Sequence, residues 1–95
     1  MKLIKKRSYQ NALKTILLYI AKDSKNNAIN FKNKLNKVTS NLNYMPYKYP
    51  HSDLSKNENV RSLAFKGYTI LYYIDENKNQ TVVFDIFKWI NKEKD

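Results

Sequence analysis

At 95 residues the chain has enough length for one hydrophobic core and too little for two, so a single domain over 1–95 is expected. A hydrophobic content of 42%, with eight Tyr and four Phe, excludes a globally disordered chain, and the absence of cysteine excludes disulfide frameworks and thiolate metal sites. The balance of 18 Lys+Arg against 8 Asp+Glu, net +10, calls for an anionic partner, nucleic acid or an acidic protein segment, unless it serves only to solvate the surface.

Residues 2 to 7 read as a short strand that sets Leu3 and Ile4 on opposite faces. Ser8 is the expected N-cap of a first helix, in which Tyr9, Leu13, Ile16, Leu17 and Ile20 recur at helical spacing. The longest apolar run, Ile16 to Ala21, is too short to cross a bilayer, and the lysine-rich start is followed by no apolar stretch. No membrane segment or signal peptide is therefore expected, and the cytoplasm is the expected location. Asp23-Ser24 interrupts the pattern and caps a second helix, in which Ala28, Phe31, Leu35, Val38 and Leu42 alternate by three and four until Pro46 and Pro50 end it. Two such helices across a short capped turn form an antiparallel hairpin.

The period then changes. Val60 to Phe65, Tyr68 to Asp75 and Thr81 to Trp89 are rich in β-branched and aromatic residues and read as strands. Lys66-Gly67, with the only glycine of the chain, fits a tight hairpin turn at positive φ, and the polar run Asp75 to Asn79 fits a longer one. The expected fold is α+β, in the order β-α-α-β-β-β, with the helical hairpin packed on one face of a small, mainly antiparallel sheet. The strands do not alternate cleanly: Tyr68, Ile70, Tyr72 and Ile74 oppose Leu71 and Tyr73, and Val83 and Phe87 oppose Val82, Phe84 and Ile86. One hairpin covers one face, so the second face is expected to hold a partner or to lie under the long 43–59 loop.

Several segments, in this order, resemble the RelE/ParE superfamily of bacterial type II toxin–antitoxin toxins. They are Tyr19-Ile20-Ala21-Lys22-Asp23-Ser24, the helical turn from Ala28 to Phe31, Leu42 with Pro46, Val60-Arg61-Ser62-Leu63, and Gly67-Tyr68-Thr69-Ile70-Leu71-Tyr72-Tyr73-Ile74. The resemblance covers nearly the whole chain. It implies an intracellular poison without cofactors, held inactive by a cognate acidic antitoxin that is steered toward a +10 surface. RelE-like members cleave mRNA on the ribosome, whereas ParE-like members inhibit DNA gyrase without hydrolytic chemistry.

Metal-independent RNA cleavage needs a base, a cationic cluster for the phosphorane and an acid for the leaving 5′-oxygen. Arg61 occupies the place of the family's arginine at the start of the second strand, where its fork suits a phosphate; an ion pair with Asp85 is the competing role. Lys48 and Lys56 in the preceding loop, Lys66 at the hairpin and Lys88 near the end are the lysines expected to converge with Arg61. Lys56 and Lys88 would then stabilise charge, and Lys48 and Lys66 would hold RNA. His51, the only histidine, is the candidate acid or base, or else an exposed loop residue. Trp89 either closes the core or stacks on a nucleobase. The last strand reads Phe87-Lys88-Trp89-Ile90, without the His, Arg or Tyr that RelE-like nucleases carry there. Translation, through cleavage of ribosome-bound mRNA or another block, is nevertheless the expected target, DNA gyrase the alternative, and a basic nucleic-acid-binding module or inactive toxin fold the second alternative. No metal-ligand cluster, Gly-rich phosphate loop or Ser/His/Asp set is present in the sequence.

Overall fold

A computed structural model describes residues 1–88. In chain order the elements are β1 (Lys2–Lys5), α1 (Arg7–Asp23), α2 (Lys25–Ser40), a 3-10 turn (Asn41–Asn43), β2 (Val60–Phe65), β3 (Tyr68–Asp75) and β4 (Gln80–Lys88). The sheet order is β1-β4-β3-β2: an antiparallel meander to which β1 adds in parallel beside β4. The fold is therefore α+β, with two helices on a four-stranded mixed sheet. No helix among the described residues is long and apolar enough to cross a membrane.

The helices are set by their junction. Ser24 has an extended backbone, donates its N–H to the Ile20 carbonyl at 3.1 Å, and accepts the Asn27 N–H on its hydroxyl, also at 3.1 Å. One residue thus ends α1 and caps α2. At the start of α1 the expected cap is not used. Lys6 takes the N-cap position without a side-chain bond, while the Ser8 hydroxyl donates across the fold to the Phe84 carbonyl at 2.6 Å. Helix α2 ends earlier than the prolines require. The hydroxyls of Thr39 and Ser40 bond back to carbonyls of Leu35 and Asn36, and the chain tightens into the 3-10 turn that buries Leu42.

The core lies between the hairpin and one sheet face. Tyr9, Leu13, Phe31, Leu35 and Leu42 pack against Leu63, Ile70, Tyr72, Ile74, Val83 and Ile86. Phe31 meets the rings of Phe65 and Tyr68 edge-on, each at 5.3 Å. The broken alternation of β4 has a simple origin. Leu71 pairs with Asp85 but Tyr72 pairs with Val83, so Phe84 is an extra residue without a partner, a β-bulge. Beyond it the parity of β4 inverts, and Val83 and Ile86, which strict alternation sets on opposite faces, both enter the core. The bulge also leaves the Phe84 carbonyl available for Ser8.

The turns obey the chemistry expected of them. Lys66 (φ 49°) and Gly67 (φ 83°) are both left-handed, as a two-residue hairpin of the primed kind requires. Asp75 accepts the Lys78 N–H and Asn79 takes φ 54° in the second turn.

The second sheet face carries Val60, Leu71 and Val82, all buried, and the rings of Tyr73 and Phe84 at 5.8 Å with the Lys6 ammonium over Tyr73. The long loop is tied down at two places. Its first part closes the end of the core on the helix side, where Tyr72 donates to the Pro46 carbonyl at 2.7 Å. Its middle runs along the outer edge of β2, with Ser52 donating to Val60 and Pro50 accepting from Ser62. That edge is thereby blunted against strand pairing. Among the described residues, the large apolar side chains that stay exposed lie on the hairpin (Leu18, Tyr19, Ile29) and on the loop (Tyr44, Met45, Tyr47, Leu54).

Candidate functional site

Arg61 is the second residue of β2, paired with Tyr72, and this parity turns it toward the helix side at the end closed by the loop. There it is half-buried. Its Nη1 donates to the Tyr49 carbonyl and, at 3.4 Å, to the Tyr47 carbonyl, and its guanidinium lies 5.1 Å from the centre of the Tyr47 ring. Its Nε is buried without a partner. Asp85 pairs with Leu71 on the opposite face and caps its own neighbour, accepting the Ile86 N–H at 2.8 Å. The arginine is therefore bonded to main-chain carbonyls and not to that carboxylate.

Three tyrosines surround it. Burial pushes the Tyr72 phenol up to about 12, against the pull of the Arg61 guanidinium, so it stays protonated and donates to Pro46. The Tyr47 phenol is also raised, first by desolvation and then by the Glu76 carboxylate beside it, with Arg61 acting the other way. Tyr47 remains half exposed, so the cluster has a solvent-facing side. The result is a rigid platform: a loop from 44 to 50 pinned at Pro46, Tyr47 and Tyr49, presenting Tyr44 (80% exposed) and Met45 (55% exposed) outward.

The other expected residues divide into two groups. His51 is exposed and forms an antiparallel bridge with Arg61, which sets their Cα atoms about 5 Å apart. Its Nε2 lies 3.0 Å from the Asn57 carbonyl. A carbonyl only accepts, so Nε2 carries the proton in this bond and Nδ1 is the nitrogen left to take one. Lys48 is exposed at the same end, with its ammonium 5.6 Å from the Tyr49 ring. Lys56 is exposed farther along the same loop.

Lys66 and Lys88 do not join them. Lys66 sits in the β2–β3 turn, five residues or about 17 Å along β2 from Arg61, and its ammonium lies over Phe65. Lys88 pairs with Tyr68 at that same far end of the sheet. Convergence fails because β2 carries Arg61 at its start and Lys66 just past its end. Trp89 lies outside the described residues. Among the described residues no group of three His, Cys, Asp or Glu could hold a metal.

Tyr47, Tyr49, Tyr72 and Glu76 escaped the sequence reading. The one signal was the tyrosine- and proline-rich run from Tyr44 to Pro50, too dense in aromatics for an ordinary solvated loop.

Comparison with known proteins agrees with this architecture. The chain is similar to a chromosomal ParDE toxin–antitoxin system from P. aeruginosa, at 14% identity and a TM-score of 0.76, covering 95% of this chain and 97% of that one. It is similar also to the toxin–antitoxin complex RelBE2 from Mycobacterium tuberculosis, at 14% identity and a TM-score of 0.58, covering 93% and 96%. At such identities these likenesses speak to fold. No curated protein sequence matches significantly. The family model of the ParE toxin of the type II toxin–antitoxin system parDE matches residues 3–88, from β1 to the end of β4. With the hairpin, the meander and the parallel N-terminal strand all in place, the chain belongs to the ParE family of type II toxins.

Proposed function

We propose that this toxin arrests growth in the cytoplasm by binding its target and not by cleaving RNA, that DNA gyrase is the target, and that a cognate acidic antitoxin neutralises it. The observation that carries this is the engagement of Arg61. The guanidinium that a ribonuclease would turn to a phosphate is bonded to the carbonyls of Tyr47 and Tyr49 and stacked on Tyr47. Lys66 and Lys88, at the far end of the sheet, add nothing to a phosphate site there. What remains at the surface is a firmly held aromatic loop, suited to macromolecular contact. The ParE family match favours the same target. An antitoxin partner is supported by the two similar structures, both described as toxin–antitoxin assemblies, and by the net charge of +10.

A competing reading rests on one observation. His51 and Arg61 are neighbours across an antiparallel bridge, with Nδ1 of the imidazole able to accept a proton, and Lys48 and Lys56 lie on the same loop. This pair supports ribosome-dependent mRNA cleavage.

Controlled expression of the chain alone in bacteria separates the two. Filamentation, DNA breaks and inhibition of purified gyrase in a supercoiling assay are expected, with protein synthesis continuing through the first minutes. Immediate loss of protein synthesis with codon-positioned mRNA cuts, abolished by His51→Ala, would overturn the gyrase assignment. Normal growth at confirmed soluble expression would overturn toxicity itself.

A further inference from the structure

The positive charge is concentrated in the first part of the chain. Residues 1–40, which form β1 and both helices, hold ten Lys and Arg and one acid, Asp23, for a net +9; residues 41–95 hold eight against seven, for +1. Helix α2 is the extreme case, with four lysines, five asparagines and no acidic residue among its 16 positions. At about 100° per residue, Asn26, Asn30, Asn33 and Lys37 fall in one row on α2, opposite the buried Phe31 and Leu35. All four are exposed, and the row runs about 16 Å along the helix. Lys34 stands on one side of it and Lys25 on the other, both exposed.

This row does nothing for the fold. Asparagine is a weak helix former because its carboxamide competes for backbone groups, so three in one solvent-facing row weaken α2. Asn36, off the row, is a carboxamide in structural use, accepting from the Lys5 ammonium at 3.4 Å.

Each feature restricts the partner. No apolar side chain stands in the row, so neither a protein helix nor a bilayer finds an anchor there. Lysines without an acid among them suit phosphates, and carboxamides, each both donor and acceptor, suit the edges of bases. The major groove of B-DNA, about 12 Å wide, admits an α-helix, whereas the deep, narrow groove of A-form RNA does not.

We infer that the outer face of α2 is a contact surface for duplex DNA, with Lys25, Lys34 and Lys37 on phosphates and Asn26, Asn30 and Asn33 toward base edges in the major groove. The contact is with nucleic acid itself and does not rest on the gyrase assignment.

The test uses the purified full chain and a fluorescein-labelled DNA duplex of about two helical turns, read by anisotropy across a salt series. Duplex RNA of the same sequence is the comparison. Lys34→Gln with Lys37→Gln is set against Lys2→Gln with Lys78→Gln, exposed lysines of β1 and the β3–β4 turn; each pair takes +10 to +8. The parent chain is expected to prefer DNA to RNA and to lose affinity steeply as salt rises. The α2 pair should lose about tenfold and reduce the log–log salt slope by about 2, and the other pair should lose less than about threefold. Asn26→Ala, Asn30→Ala and Asn33→Ala together should weaken DNA binding about fivefold while raising Tm, because alanine strengthens the helix.

Equal losses in the two lysine pairs, unchanged binding by the asparagine variant, RNA binding as tight as DNA binding, or no DNA binding by the parent would each overturn the proposal. A weakened asparagine variant with a lowered Tm would do so too, since the row would then be structural. Binding is read on the isolated chain, so this proposal and the gyrase assignment can fail separately.

Discussion

Replacing Arg61 by alanine removes the tie between β2 and the 44–50 loop. The lost interactions are a charged hydrogen bond to the Tyr49 carbonyl, about 1.5–3 kcal/mol, and stacking on Tyr47, about 0.5–1 kcal/mol. The 3.4 Å contact to Tyr47 adds little at that length. Against these stands the buried Nε, whose unsatisfied state costs the native protein about 1 kcal/mol and vanishes with the side chain. The net destabilisation is about 2 kcal/mol, which for a domain of this size lowers Tm by roughly 10 °C. Thermal unfolding by circular dichroism reads the total, and amide exchange at residues 44–52 reads its location. Loosening should be confined to that loop, with the helical hairpin keeping its protection. Arg61→Lys should recover less than half of the loss, because an ammonium has no planar fork for two carbonyls. An alanine variant within 2 °C of the parent, with unchanged loop exchange, would refute the account of Arg61 as an anchor.

Tyr9→Phe should be neutral or stabilising by up to about 1 kcal/mol, since it deletes a buried hydroxyl with no partner, whereas Tyr72→Phe should destabilise by about 1–2 kcal/mol through the lost bond to Pro46. A clear loss for Tyr9→Phe in urea unfolding would mean its hydroxyl is bonded in solution. Both phenols are raised from about 10 to about 12 by burial. Their stabilising contribution is whole below pH 10 and is lost as pH rises from 10 to 12, because the unfolded chain releases those protons first. That loss is about 2–3 kcal/mol per tyrosine, visible as a fall in urea midpoint across this window, and a flat profile would contradict it. Lys66→Asn should stabilise by about 0.5 kcal/mol, since Lys66 holds a left-handed φ of 49° that asparagine tolerates better. A lowered Tm for this variant would show that Lys66 makes a contact worth more than the backbone strain.

What could be read in advance was whatever is local. Helical spacing, the Ser24 junction and the glycine turn each follow from residues within a few positions of one another, and each formed as expected. The failures came from distance. Ser8 looks like a cap from its neighbours, but the Phe84 carbonyl, freed by a bulge, bonds its hydroxyl instead. The bulge itself was visible only as untidy alternation, because one inserted residue inverts the parity of everything beyond it. In the site, Arg61 was recognisable as a residue type in place, whereas His51, read either as a candidate acid or base or as an exposed loop residue, carried no signal that it bridges to Arg61. Its real partners are main-chain carbonyls, which carry no signature in sequence. The separation of Lys66 and Lys88 from Arg61 follows from strand order and direction, which single lysines do not encode.

The anchoring of the loop through carbonyl oxygens has an evolutionary consequence. Every residue type offers a carbonyl, so Arg61 fixes the path of the 44–50 segment without constraining most of its side chains. Tyr44, Met45 and Lys48 can vary freely while the backbone that displays them stays in register. Such a segment can drift toward new targets without unfolding its scaffold, and it can be transplanted between relatives as a cassette. One inward-facing arginine would thereby let a conserved fold carry a changing specificity.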